Sequence, residues 1–290
     1  MYYISAVLSL AVLAGLVFWV WKRTAAGTCW NPVFWPGLIF KLVCGILLGL
    51  YYSGGDFDTT RYQEAADILT GFGFQDTGAY LRLLFLNDYT ALPEQIHSIG
   101  FRTYSNSFYF SKLLSVLNFL TGSNYYLNSL FLSFFSFAGC WYLVKNLAHY
   151  FPGTANAAIF SFLLFPSVVF WNAGVMKESL LAGLLGFFWA AILNLSDPAK
   201  KHKPGYFFLL AISAFGLWKI KFFVAAFVYG LAGLWLVLHW LRRRFRVFRQ
   251  PVALVGSLTG LSALLALAIS RLHENFNLQF FLDRLVWNYQ

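Results

Sequence analysis

Seven of the eleven acidic residues fall between residues 54 and 124, and the densest cluster begins where an apolar segment ends: Gly54-Gly55-Asp56-Phe57-Asp58-Thr59-Thr60-Arg61-Tyr62-Gln63-Glu64. Two more sets of ionisable residues stand at the ends of apolar segments, Lys177-Glu178 and the pair Lys219 and Lys221. Carboxylates beside lysines suit a substrate with an anionic phosphate and a reacting hydroxyl. The lysines would hold the phosphate as point charges, and a carboxylate would take the hydroxyl proton. The two acids could instead share a divalent metal, which prefers oxygen ligands.

Each group also has a plainer reading. Asp58 precedes a helical pattern and could be its N-cap, with Thr59 or Thr60 extending the cap. Lys177-Glu178 could be an interfacial pair, the lysine reaching toward headgroups, and Lys219 and Lys221 could simply mark a turn. Glu64, Asp67, Asp76, Asp88 and Glu94 read as a solvated face, and nothing near His97 makes it a metal ligand.

The elements that must position these groups belong to a membrane protein. Of 290 residues, 59% are hydrophobic, 21% aromatic and 11% charged, with a mean hydropathy of +0.63; soluble domains carry about 25% charged residues. A bilayer is the setting that accepts so much apolar surface. The formal charge of +10 is gathered at segment ends, in Lys22-Arg23, in Lys200, Lys201 and Lys203, and in Arg242, Arg243, Arg244, Arg246 and Arg249. That is the positive-inside pattern of loops facing anionic lipid, so the charge argues for a lipid bilayer and against nucleic acid as the partner. Cys29, Cys44 and Cys140 have no metal spacing. The N-terminus lacks a basic region and a small-residue cleavage site, so 3–21 is expected to be a retained span.

Apolar runs of about 17–25 residues set the spans. Residues 3–21 run inward to Lys22-Arg23, and 35–53 return outward to the acidic motif. Residues 54–124 form an external loop. Within it, a helix from Asp58 places Tyr62, Ala65, Ala66 and Leu69 on one face. The apolar stretch 108–120 is short and contains Lys112, so it reads as an interfacial helix; were it to cross, the later basic loops would fall on the wrong side. Residues 125–147 run inward, 156–171 outward through Pro166, and 179–195 inward to the basic loop 197–203. The stretch 206–240 exceeds one span and splits at Lys219 and Lys221. Residues 251–270 run outward, leaving 271–290 as an external amphipathic tail. The expectation is one all-α integral membrane domain of about eight spans, with Asp56, Asp58, Lys177, Glu178, Lys219 and Lys221 meeting at one membrane face. Pro166 is expected to kink its helix and Gly174 to tighten the 172–178 turn.

The segment Asp58-Thr59-Thr60-Arg61-Tyr62-Gln63-Glu64-Ala65 resembles the first external loop of GT-C membrane glycosyltransferases, where an Asp after an early span opens a helix of the form D-x-x-R-Y-x-E-x-A. Aminoarabinose transferases of lipid A and related lipid-sugar transferases share that form. The order of features over 35–195 is similar too: an interfacial helix ending at Gly122, an inward span from Tyr125, and an outward span ending in Pro and then an acidic residue, Glu178. Tyr104-Ser105-Asn106-Ser107 stands where the family has paired prolines, and no soluble external domain follows the spans. The resemblance implies transfer of a sugar from a polyprenyl-phosphate donor to a lipid or glycan acceptor at the outer face of an inner membrane. Asp58 would be the general base and Glu178 would position the acceptor or a Mg2+ or Mn2+ ion. Charge and topology, and not the resemblance, make Lys219 and Lys221, with Arg61, candidates for the carrier phosphate, and put Asp56, Tyr62 and Lys177 beside the substrate. A surface-polysaccharide polymerase or ligase would use the same donors. A flippase for lipid-linked sugar would be expected to show an inverted repeat and broken helices at mid-membrane, and no repeat is visible. A scaffold without catalysis would tolerate loss of Asp58.

Overall fold

The computed structural model describes residues 2–52, 55–94, 96, 101, 105–197, 199–200, 203–244 and 251–272. Helices and the turns between them account for these residues, with no strand among them. Five helices are long and apolar enough to cross a membrane: α1 (Tyr2–Thr24), α2 (Asn31–Tyr52), α6 (Tyr125–Tyr150), α9 (Lys177–Ser196) and α11 (Phe222–Arg244). Between the second and third of these lie α3 (Asp58–Gln75), α4 (Thr77–Leu86) and α5 (Asn106–Thr121); α7 (Ala155–Ile159), α8 (Pro166–Trp171), α10 (Lys203–Ile220) and α12 (Pro251–Leu272) complete the order. Residues 1–222 form one compact unit and 223–290 another. In the second unit the Trp235 and His239 rings stack at 6.3 Å within α11.

The expected span over 156–171 is not one helix. After α7 the chain widens into a π-helical turn, Phe160–Leu164, leaves helical geometry at Phe165, and restarts with Pro166 at the first position of α8. Proline cannot donate a backbone hydrogen bond but is well suited to open a helix, so Pro166 starts a new helix instead of kinking an old one. The second expected span begins earlier than its Pro36: α2 starts at Asn31 and carries Pro36 within it. The stretch 206–240 divides as expected, with Lys221 as the single non-helical residue between α10 and α11. His97, the basic run 245–250 and the tail beyond Leu272 lie outside the described residues.

In the first unit α6 is the central helix. Gly139 of α6 and Gly183 and Gly186 of α9 bring the two backbones together: a Cβ on Gly139 would overlap the Gly183 carbonyl. Small residues allow this approach between membrane helices. On its other side α6 packs antiparallel to α2. Gly45 lies against Ser129 and Ser133 at one end, while Phe34, Phe137 and Trp141 form an aromatic cluster toward the other, with Phe34–Trp141 centroids 5.0 Å apart.

Helix α3 has the expected inward face, since Tyr62, Ala65, Ala66 and Leu69 are all buried. Its partner α5 buries a polar seam beside an apolar one. Ser111, Lys112, Ser115, Asn118 and Thr121 point inward with Phe108, Phe110 and Leu114, while Leu113, Val116 and Phe119 are exposed. Apolar surroundings favour that orientation, provided the buried polar groups pair. They do. Asn118 Nδ2 donates to Asp67 Oδ1 at 2.9 Å, Gln63 Nε2 donates to the same oxygen at 2.7 Å, and Asn128 Nδ2 of α6 donates to Gln63 Oε1 at 2.9 Å. Asp67 is thus more than a solvated charge: one of its oxygens ties α3 to α5. This network fixes the rotation of α3, and with it the direction in which Asp58 and Tyr62 point.

Candidate active site

Asp58 is the first residue of α3, and the N-cap is Phe57. Capping falls to Thr60, whose Oγ1 accepts from the Phe57 N–H at 3.1 Å. The Asp58 carboxylate is therefore not used as the cap, and its Oδ2 accepts from the Tyr62 hydroxyl at 3.4 Å, one turn along.

Tyr62 is 3% exposed, between the Phe101 ring (5.5 Å) and the Phe110 ring (5.2 Å). Burial, then the nearby Asp58 and Glu178 carboxylates, push its phenol well above the ordinary value, against a hydrogen bond with Ser107. Tyr62 is thus a neutral donor at physiological pH. The Lys177 ammonium lies 5.2 Å from the centre of its ring and donates to Ser107 Oγ at 3.1 Å.

The turn that presents Lys177 and Glu178 is clamped into the bundle. Gly174 has φ +72°, a conformation that favours glycine. Its N–H donates to Ser133 Oγ at 2.9 Å and its carbonyl accepts from Ser179 Oγ at 2.7 Å. Ala173 and Val175 are fully buried on either side. Lys177 and Glu178 then leave the helix in different directions. Glu178 Oε1 receives a 2.6 Å hydrogen bond from Lys221 Nζ, a part-buried ion pair between α9 and the end of α10.

Asp58, Tyr62, Lys177, Glu178 and Lys221 therefore share one end of the first unit. The other expected site residues do not join them by contact. Asp56 and Arg61 form a two-pronged ion pair with each other, at 2.6 and 2.5 Å. That pairing holds the Asp56 carboxyl below its usual range. Both side chains are exposed, at 71% and 44%.

Lys219 turns to a separate small cavity of about 90 Å3, with Lys112, Asn87, Tyr89, Ser105 and Tyr109 around it. Lys112 had appeared only as an interruption in an apolar run. It is buried in the structure, donating to the Leu83 carbonyl at 2.7 Å and to Asn87 Oδ1 at 2.9 Å. Burial, then the Lys219 charge, pull its ammonium down to about 8. Ser107 was also missed, although its place at the start of α5 is where the resemblance expected proline. Among the remaining loop acids, Asp76 caps α4 by accepting from the Ala79 N–H at 2.9 Å.

Among the described residues no three His, Cys, Asp or Glu side chains gather as a metal cage. Asp58 and Glu178 are the carboxylates that would serve a Mg2+ or Mn2+ ion, which needs only one or two when phosphate and water complete its shell. Glu178 is tied to Lys221, so the pair as it stands is not a metal cradle. No protein-family model, curated protein or solved structure matches the chain.

Proposed function

We propose that the chain is an inverting membrane glycosyltransferase of GT-C type that moves a sugar from a polyprenyl-phosphate donor to a hydroxyl acceptor. The reading takes the eight-span topology with the basic clusters inside, so that the Asp58 end faces outward. One observation carries it: a carboxylate not used for capping, a neutral phenol and two lysines converge from three separate chain segments. A structural ion pair needs only two such groups. Asp58 is exposed, but Lys177, Glu178 and Lys221 beside it are half-buried, and such ionisable groups in a membrane protein point to function by default.

In the proposed reaction the acceptor hydroxyl oxygen attacks the anomeric carbon from the face opposite the phosphate. Its proton passes to Asp58 as the new C–O bond forms. The bond from the anomeric carbon to the phosphate oxygen breaks, and its electron pair leaves on the polyprenyl phosphate. Lys177 and Lys221 stabilise the charge on that leaving group, and Glu178 holds Lys221 in place. Tyr62 donates a hydrogen bond that orients the base.

The reading is tested by mass spectrometry of lipid-linked sugars and surface glycans in cells with and without the chain. Loss of the chain is expected to accumulate one polyprenyl-phosphate sugar and to leave one glycan short of that sugar. A lipid-linked pool and glycans that do not change would contradict it. Donor that accumulates unable to cross the membrane, with transfer intact in broken membranes, would favour a flippase.

A further inference from the structure

The opposite end of the first unit holds a larger cavity, of about 440 Å3, between the ends of α1, α6 and α9 and the start of α10. That size lies in the range of about 300–1,000 Å3 usual for ligand sites. Arg23, Lys145, His149 and Lys200 line it, and among the described residues no acidic side chain does. The nearest described acid, Asp197, lies outside the lining; it accepts from the Ala199 N–H at 2.9 Å and the Tyr150 hydroxyl at 3.1 Å, and its charge also acts on Lys200 and His149.

The floor is polar and fixed. Asn194, 2% exposed, donates through Nδ2 to Asn146 Oδ1 at 2.6 Å and to the Ala190 carbonyl at 2.7 Å. Asn146, 8% exposed, donates in turn to the Tyr142 carbonyl at 2.8 Å. Lys145 gives one donor to the Thr24 carbonyl at the end of α1, and an ammonium has three. Helix-end capping accounts for that one bond, and the positive-inside bias accounts for Arg23 and Lys200 lying at this end of the unit, but neither requires them to face one polar cavity. Arg23 is exposed and Lys145 and Lys200 are half-buried around the cavity, and like charges placed in this way repel each other unless an anion joins them.

We propose that this cavity binds a phosphate oxyanion, presented either by the headgroup of an anionic phospholipid or by a soluble phosphate. Basic pockets between membrane helices recognise lipid phosphates by the same chemistry. Helix α9, with 20 residues, is about 30 Å long at about 1.5 Å per residue, close to a bilayer's hydrocarbon thickness. The phosphate site at its Ser196 end is thus distinct from the groups at its Lys177 end, and it does not rest on the transferase reading.

The test titrates the purified full chain in a neutral detergent with phosphatidylglycerol, with phosphatidylcholine and with inorganic pyrophosphate, following the thermal unfolding midpoint. Phosphatidylglycerol is expected to raise the midpoint where phosphatidylcholine does not. A rise with pyrophosphate as well, or with pyrophosphate alone, assigns the soluble source. Replacing Arg23→Ala with Lys200→Ala is expected to weaken binding roughly 30-fold, from two cations at about 1 kcal/mol each. Lys200→Gln alone, outside any helix, gives a smaller loss in the same direction and keeps the test readable if the double variant does not fold. Lys22→Ala is the control, because Lys22 sits in the same last turn of α1 but not in the cavity lining. The proposal is overturned if neither anion shifts the midpoint, if phosphatidylcholine matches phosphatidylglycerol, or if Lys22→Ala weakens binding as much as the cavity variants.

Discussion

The two ends of the first unit carry similar amounts of polar chemistry but different patterns of sign. At the Lys177 end, carboxylates and ammonium groups interleave: Glu178 on Lys221, Lys177 over Tyr62, Tyr62 on Asp58. At the Ser196 end, Arg23, Lys145 and Lys200 stand around a neutral amide floor, with no carboxylate among the described lining groups. Mixed signs allow a proton to be taken at one atom while negative charge is stabilised at another, as a transfer reaction requires. A single sign can hold an anion but offers no base. Under the proposed reading the contrast puts chemistry at one end and recognition at the other, with α9 running between them.

Much of this was legible in the chain. The period of Tyr62, Ala65, Ala66 and Leu69 marked the inner face of α3, and all four are buried. Lys219 and Lys221 marked the break between α10 and α11. What they do after the break was not legible. Lys219 is still in the last turn of α10 while Lys221 is the non-helical residue after it, and the two part company, Lys221 to Glu178 and Lys219 to the Lys112 cavity. The Asp56–Arg61 fork was hidden for a related reason, since the motif spacing says nothing about which acid the arginine prefers. The polar seam of α5 was unreadable as well. Asn118 and Thr121 resemble a solvent face until α3 and α6 supply their partners, as does Ser115 until Tyr80 of α4 does. Residues 156–171 are apolar enough for a span, and only backbone geometry at Phe165 and Pro166 reveals the break.

The comparison between the ends can be broken most forcefully at the ion pair. Glu178→Gln and Lys221→Met should each lower transfer by about 100-fold, the lower range for losing one group that stabilises developing charge. If the two act as a unit, the double variant should cost no more than the worse single one. Additive losses, measured as initial rates in isolated membranes, would show that they serve different steps.

A second approach disturbs the frame common to both ends. Gly139→Leu would force a side chain into the Gly183 backbone, and overpacking of that kind costs about 3 kcal/mol at its upper range. Denaturant unfolding in detergent should report that loss, and a change below about 0.5 kcal/mol would mean that α6 and α9 do not pack so closely. Asn128→Ala is expected to act more locally. It leaves Gln63 Oε1 and Asn118 Oδ1 each short of a donor, at a cost of about 1–3 kcal/mol. Proteolysis should then cut the α3–α5 region first.

The smallest effect sharpens the electrostatic side of the account. Lys112 loses its proton near pH 8 in the folded chain and near pH 10.4, roughly, in the unfolded one. Between those values the unfolded chain binds the extra proton, so stability should rise with pH across that window. Lys112→Met should flatten the rise. An unchanged slope in the variant would place its cause in another group.

The central claim rests on Asp58. Lipid-linked and surface glycans should be compared in cells that carry no copy, the wild-type chain, or Asp58→Asn at matched membrane levels. The account requires Asp58→Asn to reproduce the glycans of the deletion while its protein accumulates normally. Wild-type glycans from Asp58→Asn would contradict it and leave the carboxylate as a surface charge beside Tyr62.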